Sequence, residues 1–213
     1  GELSFQQCLS QEEESRAAAF KFKRDKERYS ECHGRLRHQL AHYTGTEPEK
    51  LTFRTGPFDK PELTDGAWHF NLSHSDDLFA VAVCQDHAVG IDIETGTNNR
   101  NLLELVSHVC HAKEKARLEG LSSAQEKRRL FLSYWTAKEA FLKAIGCGFQ
   151  QAPESVCIAG DPFSGQATVE TTMPGATPEA WKLHFLAIAD SHVLTVAAPR
   201  ECAIELVESP FDA

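Results

Sequence analysis

The sequence predicts an α+β fold built from two similar halves related by pseudo-twofold symmetry, each a small, mainly antiparallel sheet packed on a long helix. Three observations predict it. Element signals run helix, strands, helices, strands. That order falls into two like runs about Val89–Thr97, each with helix first and strands after. The chain has 213 residues and is 41% hydrophobic, enough for one sizeable core or two small ones. The halves are expected at 1–89 and 90–213, with a hinge near Val89–Thr97 and the active site at their interface. No short-period repeat is visible, so the duplication is expected in structure and not in sequence identity.

The elements follow in order. Ser10 with Glu13 forms a capping-box pattern. Helix formers with apolar positions at Phe20, Leu36 and Leu40 then predict one long helix, or two in succession, over Glu12–Tyr43. A loop with Pro48, Gly56, Pro57, Pro61 and Gly66 leads to short strands at Trp68–Leu72, Phe79–Cys84 and Val89–Glu94. Helical patterning resumes at Asn101–Glu119 and Ser123–Ile145, stopping at Gly146-Cys147-Gly148. Strands are predicted at Val156–Ala159, Ala167–Thr171, Trp181–Ala189, His192–Ala198 and Ile204–Val207.

Composition excludes several classes. A net charge of −9 argues against a nucleic-acid binder, which needs clustered cations. The segment from Arg16 to Lys60 nevertheless carries +5 and the remainder −14. A basic segment on an acidic protein suits a discrete polyanion, although a solvated helix face reads the same way. The longest apolar run, Leu78–Cys84, is far too short to span a membrane. Seven scattered cysteines without a Cys-x-x-Cys pair suit a reducing, cytoplasmic setting. His108-Val-Cys110-His111 has no second ligand pair at zinc spacing and is read as structural.

Three constellations can carry chemistry. In Val89-Gly90-Ile91-Asp92-Ile93-Glu94 the strand period of two puts both isoleucines on one face and Asp92 and Glu94 on the other. Adjacent carboxylates call for a positive partner, and a hard cation such as Mg²⁺ is suited to them; a wet acidic strand face is the plainer alternative. In Trp135-Thr136-Ala137-Lys138-Glu139-Ala140-Phe141-Leu142-Lys143, Glu139 and Lys143 lie four apart on a helix whose apolar stripe is Leu130, Tyr134, Ala137, Phe141 and Ile145. Glu139 is a candidate third metal ligand or proton acceptor, with Lys138 and Lys143 toward phosphate; an exposed helix-stabilising pair is the alternative. In Phe70-Asn71-Leu72-Ser73-His74-Ser75 a strand gives way to a polar turn that could start a helix through Ser75, where Ser73 and His74 could meet an anion, or His74 could be satisfied by backbone.

FNLSHS, VGIDIE and WTAKEAFLK, in this order and at these separations, resemble the three signature blocks of the larger, surfactin-synthetase-activating type of 4′-phosphopantetheinyl transferase. The similarity extends through RAAAF…RDKERY…LR over Arg16–Arg37 and through the Lys60-Pro61 loop, covering residues 10 to 150 or so. It implies transfer of the phosphopantetheine arm of coenzyme A, the substrate, to a serine of an apo acyl or peptidyl carrier protein, with release of adenosine 3′,5′-bisphosphate. It implies Mg²⁺, with Mn²⁺ as an alternative, held by Asp92, Glu94 and Glu139. Glu139, Lys143 and Asp92 are the implied catalytic residues. Ser73, His74, Lys138 and Lys143 are implied to contact phosphate, and Arg16, Arg28 and Lys60 to grip the nucleotide end. Trp135 favours the two-lobed monomeric type over the short trimeric type. Asp59 stands where the family's loop has glycine, a change expected to reshape the 3′-phosphate pocket. A metal-dependent diphosphate hydrolase and a non-catalytic coenzyme A or carrier-binding module are the competing readings.

Overall fold

Two long amphipathic helices anchor the chain, one in each of two compact units, 1–69 and 70–213. The structure is a computed structural model that describes residues 5–56, 60–76, 78–95, 102–147, 151–174, 176–189 and 192–207.

In the first unit, α1 (Gln11–Ala18) starts at Ser10, whose hydroxyl accepts from the Glu13 N–H while the Glu13 carboxylate accepts from the Ser10 N–H. This is the capping box read from the sequence. α2 (Lys23–Thr44) follows, so the predicted helical region is two helices in succession. Arg37 of α2 is almost fully buried; its guanidinium donates to Glu13 at 2.7 Å and to the carbonyls of Pro48 and Leu51. Burial alone would raise the Glu13 carboxyl, but hydrogen bonds from His33, Ser10 and Arg37 override it and hold it down at about 2. A short antiparallel pair, β1 (Phe53–Thr55) and β2 (Pro61–Leu63), completes this unit.

The second unit is organised by a three-stranded antiparallel sheet in the order β5 (Gly90–Thr95), β9 (His192–Pro199), β8 (Trp181–Ala189). On one face lies α5 (Ala124–Ala144), with Ser123 as its N-cap. Leu130, Phe131, Tyr134, Ala137, Ala140 and Phe141 of this helix form a core with Leu183, Ala197 and residues of the hairpin β6 (Val156–Ala159) and β7 (Thr168–Thr171). Each fully buried leucine or phenylalanine side chain contributes roughly 1.5–3 kcal/mol of transfer free energy. The opposite face carries Ile91, Ile93, Leu194 and Val196, covered by Leu78, Ala80, Ala82 and Cys84 of β4 (Leu78–Gln85). β4 pairs with β3 (Trp68–Ser75).

The α+β class and antiparallel pairing are therefore as predicted, and four details differ. The boundary between compact units falls at 69/70 and not at 89/90, because β3 and β4 are tied to β5 by the contacts described here and below. β3 continues through Ser73, His74 and Ser75, and the chain turns at Asp76 with a left-handed φ of 50° instead of starting a helix. The helix expected over 101–119 is broken into a 3-10 turn (Leu102–Leu105), α3 (Val106–Val109) and α4 (Ala112–Glu119). His111 caps α4 in a capping box with Glu114, so this histidine is structural. Residues 204–207 form no strand; Ile204 instead packs against the second core. Asp59 lies outside the described residues.

Candidate active site

Gly90, at the head of β5, determines how near α5 can come. A Cβ there would overlap the Ala140 carbonyl oxygen and stand 2.6 Å from the Ala144 N–H nitrogen. Glycine together with Ala137, Ala140 and Ala144 thus lets the helix backbone lie directly on the strand. One turn further along, Thr136 Oγ1 and Thr195 Oγ1 are 2.8 Å apart and fully buried, tying α5 to β9 beside Asp92, whose cross-strand partner is Thr195.

This close contact brings three predicted residues together. Lys143 Nζ donates to Asp92 Oδ1 at 2.6 Å and to the Ile91 carbonyl at 3.2 Å, and it lies 3.4 Å from Ser73 Oγ. Ser73 Oγ donates to the same Asp92 oxygen at 2.9 Å. Asp92 is only 5% exposed, so its strand face is not a wet one. Its other oxygen, Oδ2, is buried without a hydrogen-bond partner among the described residues. A buried carboxylate oxygen left unpaired costs free energy unless a cation or donor reaches it.

The electrostatics point the same way. Burial pushes the Asp92 carboxyl up, opposed by Lys143, Ser73 and His74. Burial, followed by the Asp92 charge, pushes Glu139 up as well, with Lys143 opposing and Glu94 adding. Glu94 is held by the Ser75 hydroxyl, which donates to its Oε2 at 3.3 Å. Among the described residues no three His, Cys, Asp or Glu side chains stand close enough to enclose an ion by themselves. A small hard cation that draws on one or two carboxylates and completes its shell from phosphate and water needs no such enclosure. The all-oxygen donors Asp92, Glu94 and Glu139, with Oδ2 unpartnered, fit such a cation.

The other predicted residues stand differently. Lys138 is turned into the protein and is fully buried; its ammonium donates to the Val109 and Pro153 carbonyls at 2.7 and 3.1 Å and pairs with Glu114 at 2.7 Å. All three of its donors are spent, which corrects its assignment to phosphate. Ser73 is likewise committed to Asp92 and to the Ile93 N–H, so it supports the acid instead of offering a free donor. His74, between the two inward serines, is exposed and close enough to favour the Asp92 charge. Arg16, Arg28 and Lys60 belong to the first unit. Arg16 lies over the Tyr29 ring at 6.0 Å, and burial lowers Lys60 to about 8.

The sequence reading missed Asn71, Ser75, Gly90 and the Thr136–Thr195 pair. A signal existed for the first two: Asn71, Ser73 and Ser75 alternate in a strand, so three polar side chains share one face.

Comparison with known proteins places these residues in a family setting. Residues 88–197 match the model of the 4′-phosphopantetheinyl transferase superfamily, and residues 2–86 match that of the 4′-phosphopantetheinyl transferase N-terminal region. The chain is 35% identical over 193 residues to the 4′-phosphopantetheinyl transferase HetI of Nostoc sp., covering 89% of this chain and 78% of that protein. It is 34% identical over 148 residues to slr0495 of Synechocystis sp., provisionally assigned the same activity, covering 68% of this chain and 59% of that protein. A phosphopantetheinyl transferase of Thraustochytrium sp. is 27% identical over 208 residues, covering 92% and 72%.

Proposed function

The chain belongs to the 4′-phosphopantetheinyl transferase superfamily, and we propose that it transfers the 4′-phosphopantetheine arm of coenzyme A to a serine of an apo acyl or peptidyl carrier protein, releasing adenosine 3′,5′-bisphosphate. The observation that carries this reading is the Asp92–Lys143 pair with its unpartnered carboxylate oxygen, flanked by Glu94 and Glu139.

In the reaction the carrier serine oxygen forms a bond to the β-phosphorus of coenzyme A. The bond from that phosphorus to the bridging oxygen breaks, and the bisphosphate leaves with the electron pair. The protein needs no nucleophile of its own; its task is positioning and charge neutralisation. Glu139, whose carboxyl is raised by burial and by Asp92, is suited to accept the serine proton. Lys143 is suited to offset charge on the leaving phosphate, and its contact with Asp92 Oδ1 fixes where its ammonium stands. His74, exposed between Ser73 and Ser75, is suited to meet phosphate oxygens. Asp92, Glu94 and Glu139 are the residues that would hold Mg²⁺, which when bound draws the pyrophosphate oxygens together and offsets their charge. Arg16, Arg28 and Lys60 are assigned to the nucleotide end by the family resemblance, and Lys60, lowered to about 8 by burial, is the kind of cation that an anion would stabilise.

The N-terminal region match over residues 2–86, followed by the superfamily match over 88–197, supports the two-lobed monomeric type. Among the described residues no helix is long and apolar enough to cross a membrane; the seven free thiols are what support a cytoplasmic setting.

The test is intact-mass analysis of an apo acyl carrier protein and an apo peptidyl carrier domain after incubation with this protein, coenzyme A and Mg²⁺, with an EDTA control. A gain of one phosphopantetheinyl mass that EDTA abolishes is expected. Release of bisphosphate without any gain on a carrier would point to a hydrolase and overturn the proposal.

A further inference from the structure

Among the described residues β5 is an edge strand of its sheet, with β9 as its ladder partner. An edge normally leaves alternate backbone N–H groups without ladder partners. Here those groups are met by side chains of β3. The Ile91 N–H donates to Asn71 Oδ1 at 2.8 Å, the Ile93 N–H to Ser73 Oγ at 3.3 Å and the Thr95 N–H to Ser75 Oγ at 3.1 Å. Both strands advance with a period of two, so one register matches three rungs in succession.

Two of these rungs have a second half. Ser73 donates to Asp92 Oδ1 at 2.9 Å, and Ser75 donates to Glu94 Oε2 at 3.3 Å. A hydroxyl carries a single proton, so accepting from a backbone N–H and donating to a carboxylate fixes its direction. Each serine thereby ties an acidic side chain to the backbone N–H of the residue that follows it. The spacing Ser-x-Ser on β3 mirrors Asp-x-Glu on β5, and His74 between the serines is left facing outward.

We propose that Ser73 and Ser75 are positioning residues that hold the Asp92 and Glu94 carboxylates in a fixed orientation, so that both acids are set before metal and substrate arrive. The proposal rests on the function given above and adds the side chains that orient its acid pair. Preorganised donors and ligands spare the reorganisation that loosely held ones require at the moment of reaction. Ser73 also lies within 3.4 Å of Lys143 Nζ, so a change there disturbs the lysine as well. Ser75 touches only the acid and the strand among its hydrogen-bond partners described above, and it gives the cleaner test.

Steady-state transfer should be measured for wild type, Ser75→Ala, Ser75→Thr and Ser75→Val as a function of Mg²⁺. A second readout, Mn²⁺ titration followed by electron paramagnetic resonance with coenzyme A and no carrier protein, reports metal loading without turnover. Ser75→Ala is expected to lower kcat on the order of 10- to 100-fold, to leave the KM for coenzyme A unchanged and to weaken metal loading. Thr, which restores the hydroxyl, is expected to recover both, while Val, of nearly the same shape without it, does not. Because Thr and Val load the buried site alike, their difference decides the matter even if Ala folds poorly. Wild-type kcat and metal loading in Ser75→Ala, or a raised KM with unchanged kcat, would overturn the proposal. If wild type itself transfers nothing, the functional reading falls, and equal Mn²⁺ loading in wild type and Ser75→Ala would still overturn the clamp.

Discussion

Helix α5 carries two lysine–carboxylate pairs five residues apart, built from the same chemical groups and put to opposite ends. Lys138–Glu114 is sealed, with each side chain 1% exposed. Every donor of the lysine is used, and Glu114 in turn accepts from the His111 and Ile158 N–H groups at 2.7 Å. Lys143–Asp92 is left open: the lysine side chain is 26% exposed and one carboxylate oxygen has no hydrogen-bond partner among the described residues. A closed pair can only hold elements together, here α4, α5 and β6. An open pair retains capacity for a further charge, and the neighbouring Glu139 and Glu94 supply demand for a cation. What separates structure from chemistry is the number of unmet valences and not the residue types.

Breaking the sealed pair should have the largest effect. Lys138→Ala leaves Glu114 buried and uncompensated, and a loss of about 3–5 kcal/mol in urea unfolding is expected. The double change Lys138→Met with Glu114→Gln should recover part of that loss, since neither group is then charged. A Lys138→Ala protein of wild-type stability would erase the distinction between the pairs.

Breaking the open pair should cost activity in its place. Asp92→Asn is expected to lower kcat by about 10²–10³-fold, with melting temperature held or raised, because a raised carboxyl is a destabilising group once ionised. Circular dichroism beside the intact-mass assay checks both halves; a large fall in stability would make this pair structural too.

Gly90→Ala sharpens the comparison through geometry. The added methyl must push α5 from β5, for which overpacking costs of about 1–3 kcal/mol are usual. Because the helix carries both lysines but only Lys143 reaches β5, transfer should fall further than stability accounts for. Equal losses in both would mean that the close approach serves packing alone.

The smallest effect concerns pH. Glu139 has a folded carboxyl raised above its unfolded value, so its contribution to stability is complete at pH below the unfolded value and is lost as pH rises through the raised one. Glu139→Gln removes that loss and should melt a few degrees above wild type at neutral pH, the difference vanishing in acid. Glu13 runs the other way: held at about 2, it stabilises above the ordinary carboxylate range and its contribution fades as pH falls toward 2. Differential scanning at several pH values would show whether the two trends oppose each other.

Much of the fold was legible because its signals are local. The Ser10–Glu13 cap, the alternation in Gly90–Glu94 and the apolar stripe of α5 each depend on residues within a turn or two of one another. The Asp92–Lys143 grouping was legible only in outline. The break at Cys110–His111 went unread because a histidine N-cap is a weak signal, although Glu114 stood at capping-box spacing. The expected strand at 204–207 failed because alternation without a pairing partner does not form a ladder.

Lys138 and Lys143 mark the limit most clearly. At 3.6 residues per turn, five positions place them on different faces of α5, and that much follows from the order of residues alone, along with the acids of β5 and the α+β class. Which face would close over its lysine was decided only by the tertiary structure. Glu114, Val109 and Pro153 arrive from other elements to seal one ammonium, while Gly90 draws the other against Asp92. Periodicity is set by covalent geometry within a segment, whereas the satisfaction of a buried charge depends on groups brought together across the chain.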